Sequence, residues 1–216
     1  MFDIPTFLVL FFLCLPALAG DLAAVVKDRK GRPVFDAVVL AVPLDAKNMG
    51  HPKPEFYAMD QVDKEFVPFV KPVLAGSTVH FPNSDKIRHQ VYSFSSPKKF
   101  ELPLYAATQA PDVVFDKPGV VVLGCNIHDW MVGYIYVADT PYFAKTDVAG
   151  MATIAGMPSG DYTVRIWHPG LESTEESTQR VVKVAGGNTA SIEFQLAFKT
   201  IIRVPRVTGA ASPAYQ

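Results

Sequence analysis

Short Val-rich segments, separated by turn residues, recur along most of this 216-residue chain. β-Branched side chains favour strands, and the 18 Pro and 14 Gly leave few stretches long enough for a helix. Hydrophobic residues make up 49% of the sequence, which is ample for a packed core. We therefore expect an all-β protein with one large domain or two small ones.

Charge and motif content exclude several classes of function. The 20 Lys and Arg balance 21 Asp and Glu, so the chain lacks the basic surface of a nucleic-acid-binding protein. It contains neither the Gly-rich loop that holds phosphates nor the G-x-S-x-G motif of serine hydrolases. The sequence thus gives no support for nucleotide chemistry or for hydrolysis by a Ser/His/Asp triad.

The N-terminal segment predicts export. Residues 6–18 are almost wholly apolar, and the A-L-A that follows at 17–19 is typical of a signal-peptide cleavage site. The apolar run is too short to span a bilayer, although an uncleaved anchor stays open as an alternative. Cleavage of residues 1–19 would remove Cys14 and leave Cys125 as the single cysteine of a periplasmic or otherwise exported protein without a membrane span.

The stretch G-C-N-I-H-D-W-M, residues 124–131, carries the strongest chemical signal. Cys125, His128 and Met131 bring a thiolate, an imidazole and a thioether together at the spacing C-x2-H-x2-M. This set of soft and borderline ligands suits copper, which cycles between Cu(I) and Cu(II), whereas a structural zinc site prefers four ligands without a thioether. A single Cys therefore reads as a metal ligand here rather than as half of a disulfide.

Strand periodicity predicts where these side chains point. Two apolar runs flank the stretch, and alternate residues of each share one face of a strand: Val121, Leu123 and Cys125 in the first, and Met131, Gly133, Ile135 and Val137 in the second. A trigonal copper site needs a second imidazole. His89 follows a turn and begins a strand, so it is the best candidate, whereas His51, His80 and His168 are expected to be structural or solvated.

The segments M-D-Q-V-D-K-E-F-V-P, G-S-T-V-H-F-P-N-S-D and G-C-N-I-H-D-W-M-V-G-Y-I-Y-V, with His89 between the last two, resemble a cupredoxin over about residues 59–138. The short ligand loop is most similar to that of the amicyanins. The resemblance implies a Greek-key β-sandwich that binds one type 1 copper ion. It also implies that His89, Cys125 and His128 are equatorial ligands and that Met131 is the weak axial ligand.

The surroundings of the expected ligands depart from the family pattern in two places. Gln90 follows the first ligand where the family usually has Asn, and Gly124 precedes the Cys where an aromatic residue is usual. A backbone N–H at Gln90 can still reach the thiolate, and we expect Gln90 and Asn126 to lie beside the ligands. His128 and Trp130 are expected to form the surface through which electrons pass.

A second resemblance involves the two ends of the chain. The segments V-V-K-D-R-K-G-R-P-V-F-D-A-V-V-L-A-V and T-D-V-A-G-M-A-T-I-A-G-M-P-S-G-D-Y-T-V-R-I are similar to the carboxypeptidase regulatory-like, transthyretin-type sandwich. We therefore expect a discontinuous second β-sandwich with a cupredoxin domain inserted in it. The expected boundaries are 1–19 for the signal peptide, 20–54 and 141–200 for the discontinuous sandwich, 55–140 for the cupredoxin domain and 201–216 for a tail.

Two functions follow from these features. The first is an exported copper protein, not an enzyme, that carries single electrons to or from a cytochrome c or a periplasmic dehydrogenase. The second is a copper carrier, or a sandwich that binds a partner or glycan with copper structural or absent.

Two other kinds of copper protein are excluded by the residues present. Bridged dinuclear copper sites need two thiolates, and multicopper oxidases need His-x-His pairs that this sequence lacks. The oligomeric state stays open.

Overall fold

The computed structural model describes residues 19–50, 52–106 and 111–201. The expected signal peptide before residue 19, with Cys14, lies outside the described residues. So do His51 and residues 202–216 of the expected tail.

Strands account for nearly all the regular structure of the described residues. They are β1 (Gly20–Asp28), β2 (Val38–Pro43), β3 (Phe56–Ala58), β4 (Asp60–Val62), β5 (Glu65–Val67), β6 (Val70–Leu74), β7 (Ser77–His80), β8 (His89–Ser93), β9 (Phe100–Tyr105), β10 (Asp112–Phe115), β11 (Gly119–Gly124), β12 (Val132–Ala138), β13 (Phe143–Lys145), β14 (Met151–Met157), β15 (Gly160–Trp167), β16 (Arg180–Val184) and β17 (Thr189–Leu196). Two short 3-10 helices, Ala46–Met49 and Glu176–Thr178, complete the regular structure of the described ranges. The predicted all-β class is confirmed. Within the described part of the chain, no helix is long and apolar enough to cross a membrane.

The first sandwich combines strands from both ends of the chain. One sheet has the order β14-β1-β17 and the other has the order β13-β2-β15-β16. Alternate residues of β1 point inward and are buried, as expected for strands with one face on a core. Its core is formed by residues of both chain ends, among them Leu22, Val26, Tyr162, Val164 and Phe194.

About a hundred residues separate the two parts of this sandwich in sequence, yet they meet in space. β2 pairs directly with β13 in antiparallel register, with Leu40 opposite Phe143. The chain therefore leaves the sandwich and returns to it at neighbouring strands. The Pro and Gly content of residues 45–58 predicts a linker, but the segment is not wholly irregular, because it contains the 3-10 helix Ala46–Met49 and β3.

The second sandwich is formed by β3 to β12. Its larger sheet has the order β6-β12-β11-β8-β9, and β10-β7-β3 forms the opposite layer. A small hairpin, β4-β5, turns at Asp63 and Lys64, which both have positive φ as a tight two-residue hairpin requires. The enclosed core includes Phe81, Phe115, Leu123 and Ile135.

The two sandwiches pack against each other through the outer faces of β2, β6 and β12. A third apolar cluster forms this contact and contains Val38, Leu40, Phe69, Val70, Tyr136 and Ala138. At its edge the Tyr136 hydroxyl donates to Glu175, which also accepts from Arg165. Arg165 reaches Asp139 as well, at 2.6 Å, so charged and apolar contacts both hold the sandwiches together.

Candidate metal centre

Cys125 lies immediately after β11, at one end of the second sandwich. Val121 and Leu123 are fully buried on the same side of that strand, as the period-two pattern predicts. The Cys125 side chain continues this inward series, and the residue is only 2% exposed. The thiol therefore faces the core of the sandwich and not the solvent.

His89 is brought to the thiol by the neighbouring strand. It is the first residue of β8, which pairs with β11 where Tyr92 lies opposite Gly124. The imidazole is fully buried, and its Nδ1 lies 3.8 Å from the Cys125 Sγ. Two residues that are 36 positions apart in sequence thus meet because their strands are neighbours in one sheet.

His128 completes the group from the loop that joins β11 to β12. The loop turns tightly, because the Met131 N–H donates to the His128 carbonyl at 2.9 Å. The His128 Nδ1 lies 3.9 Å from the Cys125 Sγ, and its ring centroid is 5.0 Å from that of His89. The ligand atoms of His89, Cys125 and His128 all lie within 4.8 Å of one another, and we call this group the His-Cys-His cluster.

The spacing of the cluster fits one metal ion. Metal–nitrogen bonds of about 2.0 Å and metal–sulfur bonds of about 2.3 Å, as found at zinc, place trigonal N and S ligands about 3.7 Å apart. The two observed S–N distances are 3.8 and 3.9 Å. Two imidazoles and a thiolate in trigonal arrangement are the donor set of blue copper centres. The donor atoms are therefore already at ligand spacing.

Electrostatic interactions favour the thiolate that a metal would need. Burial opposes the charged form of Cys125, but hydrogen bonds from His89, from the backbone N–H groups of Gln90 and Ile127 and from His128 outweigh it and lower the pKa of the thiol to about 6. Burial likewise opposes the charged form of His89, yet hydrogen bonds to Cys125 and Asp85 raise its pKa. The negative charge on Cys125 and the positive charge on His89 therefore stabilise each other.

The other residues predicted for the site take different positions around it. Met131 is buried in the same core as Cys125. Trp130 is 49% exposed, and its ring lies 5.3 Å from that of His128. Gln90 and Asn126 join the two ligand segments through a hydrogen bond of 2.7 Å between the Asn126 Nδ2 and the Gln90 Oε1.

Asp85 was not among the residues predicted from the sequence. Its Oδ2 lies 2.7 Å from the Nε2 of His89, on the side of the ring that faces away from Cys125. The signal in the sequence is weak: a carboxylate four positions before a candidate ligand, in the turn N-S-D-K. Such spacing is common in turns, and only the fold shows that this carboxylate reaches the imidazole.

The remaining described histidines lie outside the His-Cys-His cluster. His80 is partly exposed and pairs with Asp112, with 2.6 Å between the His80 Nδ1 and the Asp112 Oδ1. His168 accepts from the Gly170 N–H in its turn and packs against Phe198. Both have structural surroundings, as the sequence predicts.

Three comparisons place the chain among known proteins. A family model described as polysaccharide lyase family 4, domain II, matches residues 118–192, about a third of the chain and on both sides of the expected boundary at 140. None of the curated proteins matches the chain. The expected resemblance to carboxypeptidase regulatory-like domains is therefore not confirmed.

Solved structures similar to part of the chain are copper proteins. A purple cupredoxin from Nitrosopumilus maritimus is 23% identical, with coverage of 38% of this chain and 96% of that one and a TM-score of 0.33. A reduced Cu(I) form of an amicyanin variant is 19% identical over 46% of this chain and 98% of that one, with a TM-score of 0.35. A Cu-containing nitrite reductase from Thermus scotoductus is 27% identical over 54% of this chain and 28% of that one, with a TM-score of 0.37.

Proposed function

We propose that this chain is an exported type 1 copper protein that carries single electrons between redox partners. The observation that carries the proposal is the His-Cys-His cluster, whose two S–N distances of 3.8 and 3.9 Å suit a trigonal copper ion. In this proposal His89, Cys125 and His128 hold the metal, and the protein makes and breaks no substrate bond.

The protein supplies a rigid, water-poor site. Copper, when bound, provides the one-electron couple between Cu(I) and Cu(II). The chain holds His89 at the start of β8 and Cys125 directly after β11, the neighbouring strand of the same sheet, with both residues buried. Ligands fixed in this way can accept either oxidation state with little movement, which keeps electron transfer fast.

The thiolate is stabilised by hydrogen bonds that the backbone provides. The backbone N–H groups of Gln90 and Ile127 lower the pKa of the Cys125 thiol and so favour its charged form. Hydrogen bonds at a ligating sulfur tune the reduction potential of a copper centre. Because the donor at position 90 is the backbone, Gln can take the place of the usual Asn without loss of this contact.

Met131 is proposed as a long axial ligand. Its side chain is buried in the same core as Cys125, directly before β12. A thioether in this position contributes little to holding copper but changes the relative stability of the two oxidation states.

The proposed electron portal is the loop edge at His128 and Trp130. Three large apolar side chains are exposed in the two ligand segments: Ile87 at 42%, Ile127 at 50% and Trp130 at 49%. Aromatic side chains such as Trp are enriched at the centres of protein interfaces, which are more apolar than the rest of a protein surface. A cytochrome c or a periplasmic dehydrogenase that docks there would come close to the His128 ring.

The proposal also includes a compartment and a domain organisation. The apolar segment 6–18 and its A-L-A site support export to the periplasm. The direct pairing of β2 with β13 supports a cupredoxin domain at 55–140 inserted between 20–54 and 141–200. In this arrangement the first sandwich acts as a structural or binding module.

The alternative is a module that binds a partner or glycan, or a copper carrier, without a redox role. The match of residues 118–192 to a polysaccharide lyase domain is the observation that favours it. The two functions differ in what copper does: in a redox protein it changes oxidation state in place, and in a carrier it is delivered.

Addition of Cu(II) to the metal-free protein separates them. We expect an intense blue absorption at one copper per chain, which ascorbate bleaches and an oxidant restores over repeated cycles. A protein that stays colourless with Cu(II), or loses copper on each reduction, would contradict the proposal and favour the alternative.

A further inference from the structure

Asp85 contacts the imidazole of His89 from behind the proposed metal position. The Asp85 Oδ2 lies 2.7 Å from the His89 Nε2, while the opposite ring nitrogen, Nδ1, lies 3.8 Å from the Cys125 Sγ. The His89 side chain is fully buried, and the Asp85 side chain is 13% exposed. A largely buried carboxylate thus meets the one ring nitrogen that the metal would not use.

The carboxylate is itself held by the β4-β5 hairpin. Its Oδ1 accepts from the Asp63 N–H at 2.6 Å, and its Oδ2 accepts from the Lys64 N–H at 2.9 Å. Both donors belong to the tight turn with positive φ, whose N–H groups point away from the hairpin. Because its two oxygens are both engaged, Asp85 has a fixed orientation towards His89.

A second set of hydrogen bonds fixes the turn that carries Asp85. The Asp85 N–H donates to the Asn83 Oδ1 at 3.0 Å. The Asn83 Nδ2 in turn donates to the carbonyls of Ile87 and Tyr105, at 2.9 and 3.1 Å. Asn83 is 1% exposed, so the whole turn before His89 is held from inside the sandwich.

We propose that Asp85 is a positioning residue of the copper centre: it keeps a proton of His89 on Nε2, so that Nδ1, the ring nitrogen that faces Cys125, is the one left to bind copper, and it makes the β4-β5 hairpin part of the site. This inference rests on the proposed copper function. An acidic acceptor behind a ligating imidazole fixes the tautomer and ring orientation and increases the donor strength of the metal-bound nitrogen. A stronger donor with a negative charge behind it favours Cu(II) over Cu(I), so Asp85 lowers the reduction potential.

Two substitutions separate the charge of Asp85 from its role as an acceptor. Asp85→Asn keeps the size and one acceptor oxygen but removes the charge, and Asp85→Ala removes the acceptor as well. We expect Asp85→Ala to weaken Cu(II) binding about 10- to 100-fold in a chelator competition assay. Asp85→Asn should weaken it less, and both variants should show a higher reduction potential than the wild-type protein.

The metal-free protein gives an independent readout by NMR. In the wild-type chain the His89 Nε2 proton should be visible and slow to exchange with water, because it is buried and bonded to Asp85. In Asp85→Ala that resonance should exchange rapidly or disappear. A purely structural role of Asp85 would lower the melting temperature without moving the reduction potential or this proton.

The second carboxylate–imidazole pair of the chain provides the matched control. Asp112 contacts the His80 Nδ1 at 2.6 Å, outside the His-Cys-His cluster. Asp112→Ala and Asp112→Asn should leave the copper affinity, the potential and the His89 proton unchanged.

The inference is overturned if folded Asp85→Ala binds Cu(II) with the wild-type affinity and potential. If Asp85→Ala fails to fold, a wild-type potential and affinity in Asp85→Asn overturn it instead. A wild-type protein that does not bind copper would defeat the proposed function, and the NMR readout would then still decide whether Asp85 fixes the His89 tautomer.

Discussion

Replacement of His89 by Gln should raise the pKa of the Cys125 thiol in the metal-free protein. The contact with His89 contributes most to the stabilisation of the thiolate, with 3.8 Å between the His89 Nδ1 and the Cys125 Sγ. Gln has a similar length but cannot carry a positive charge. The variant therefore removes the imidazole while the backbone donors at Gln90 and Ile127 remain.

The structure sets the size of the expected effect. The thiol has a pKa of about 6, against 9.0 for an ordinary cysteine. A shift of three pKa units corresponds to about 4 kcal/mol between the two protonation states. Because burial acts in the opposite direction and the backbone donors persist, we expect His89→Gln to raise the pKa by at least about one unit.

The ultraviolet absorbance of the thiolate, followed against pH in the metal-free protein, measures this change. With a pKa of about 6, roughly nine-tenths of the wild-type thiol is ionised at pH 7, and in His89→Gln about half or less. His80→Gln, which removes an imidazole outside the cluster, should titrate like the wild-type protein. A thiol that still titrates near pH 6 in His89→Gln would refute the assignment of His89 as its main partner.

Four further outcomes are expected. Met131→Leu should stay blue with a higher reduction potential in voltammetry, since loss of a donor disfavours Cu(II) more; complete loss of copper would make Met131 a principal ligand. Trp130→Ala should keep the blue spectrum but exchange electrons more slowly with a small cytochrome c in stopped-flow experiments, and an unchanged rate would move the portal elsewhere. Gly133→Ala should cost about 1–3 kcal/mol in chemical denaturation, because the new Cβ would lie 2.7 Å from the buried Phe66 Cβ, and wild-type stability would contradict this packing. Excision of residues 55–140 with a short linker should leave a β domain that melts cooperatively, and a product without a melting transition would count against the insertion.

The alternation of side chains made the centre of the fold predictable. β11 and β12 show a clear period of two, and the residues expected to point inward, such as Leu123 and Ile135, are fully buried. His89 was expected at a strand start and is the first residue of β8. These strands cross the middle of the larger sheet, where the face towards the core is buried; the outer face of β12 is buried as well at Tyr136 and Ala138, where it packs against the first sandwich.

Weaker patterns at the edges were harder to interpret. β9 contains Pro103 and lies at the edge of its sheet, where proline is tolerated, so a strand is hard to predict there from local preference. β3 is only three residues long and follows a Pro-rich stretch, which is why residues 45–58 read as a linker. In both cases pairing with a neighbouring strand, and not local preference, decides the structure.

In the candidate site too, some residues can be predicted from the sequence and others cannot. Cys125 and His128 are three residues apart, so their spacing alone predicts that both serve one centre. Asp85 reaches His89 only because the β4-β5 hairpin fixes its orientation from another part of the chain. Contacts of this second kind depend on the packed fold and leave almost no trace in a single sequence.

The central claim is that Cys125 binds copper as a thiolate within the His-Cys-His cluster. Titration of the metal-free wild-type protein and of Cys125→Ser with Cu(II), followed by visible absorption, tests it most directly. A hydroxyl cannot supply the sulfur-to-copper charge-transfer absorption, so the wild-type protein should turn blue at one equivalent and folded Cys125→Ser should not. A blue Cys125→Ser protein, or a wild-type protein that remains colourless, would contradict the assignment.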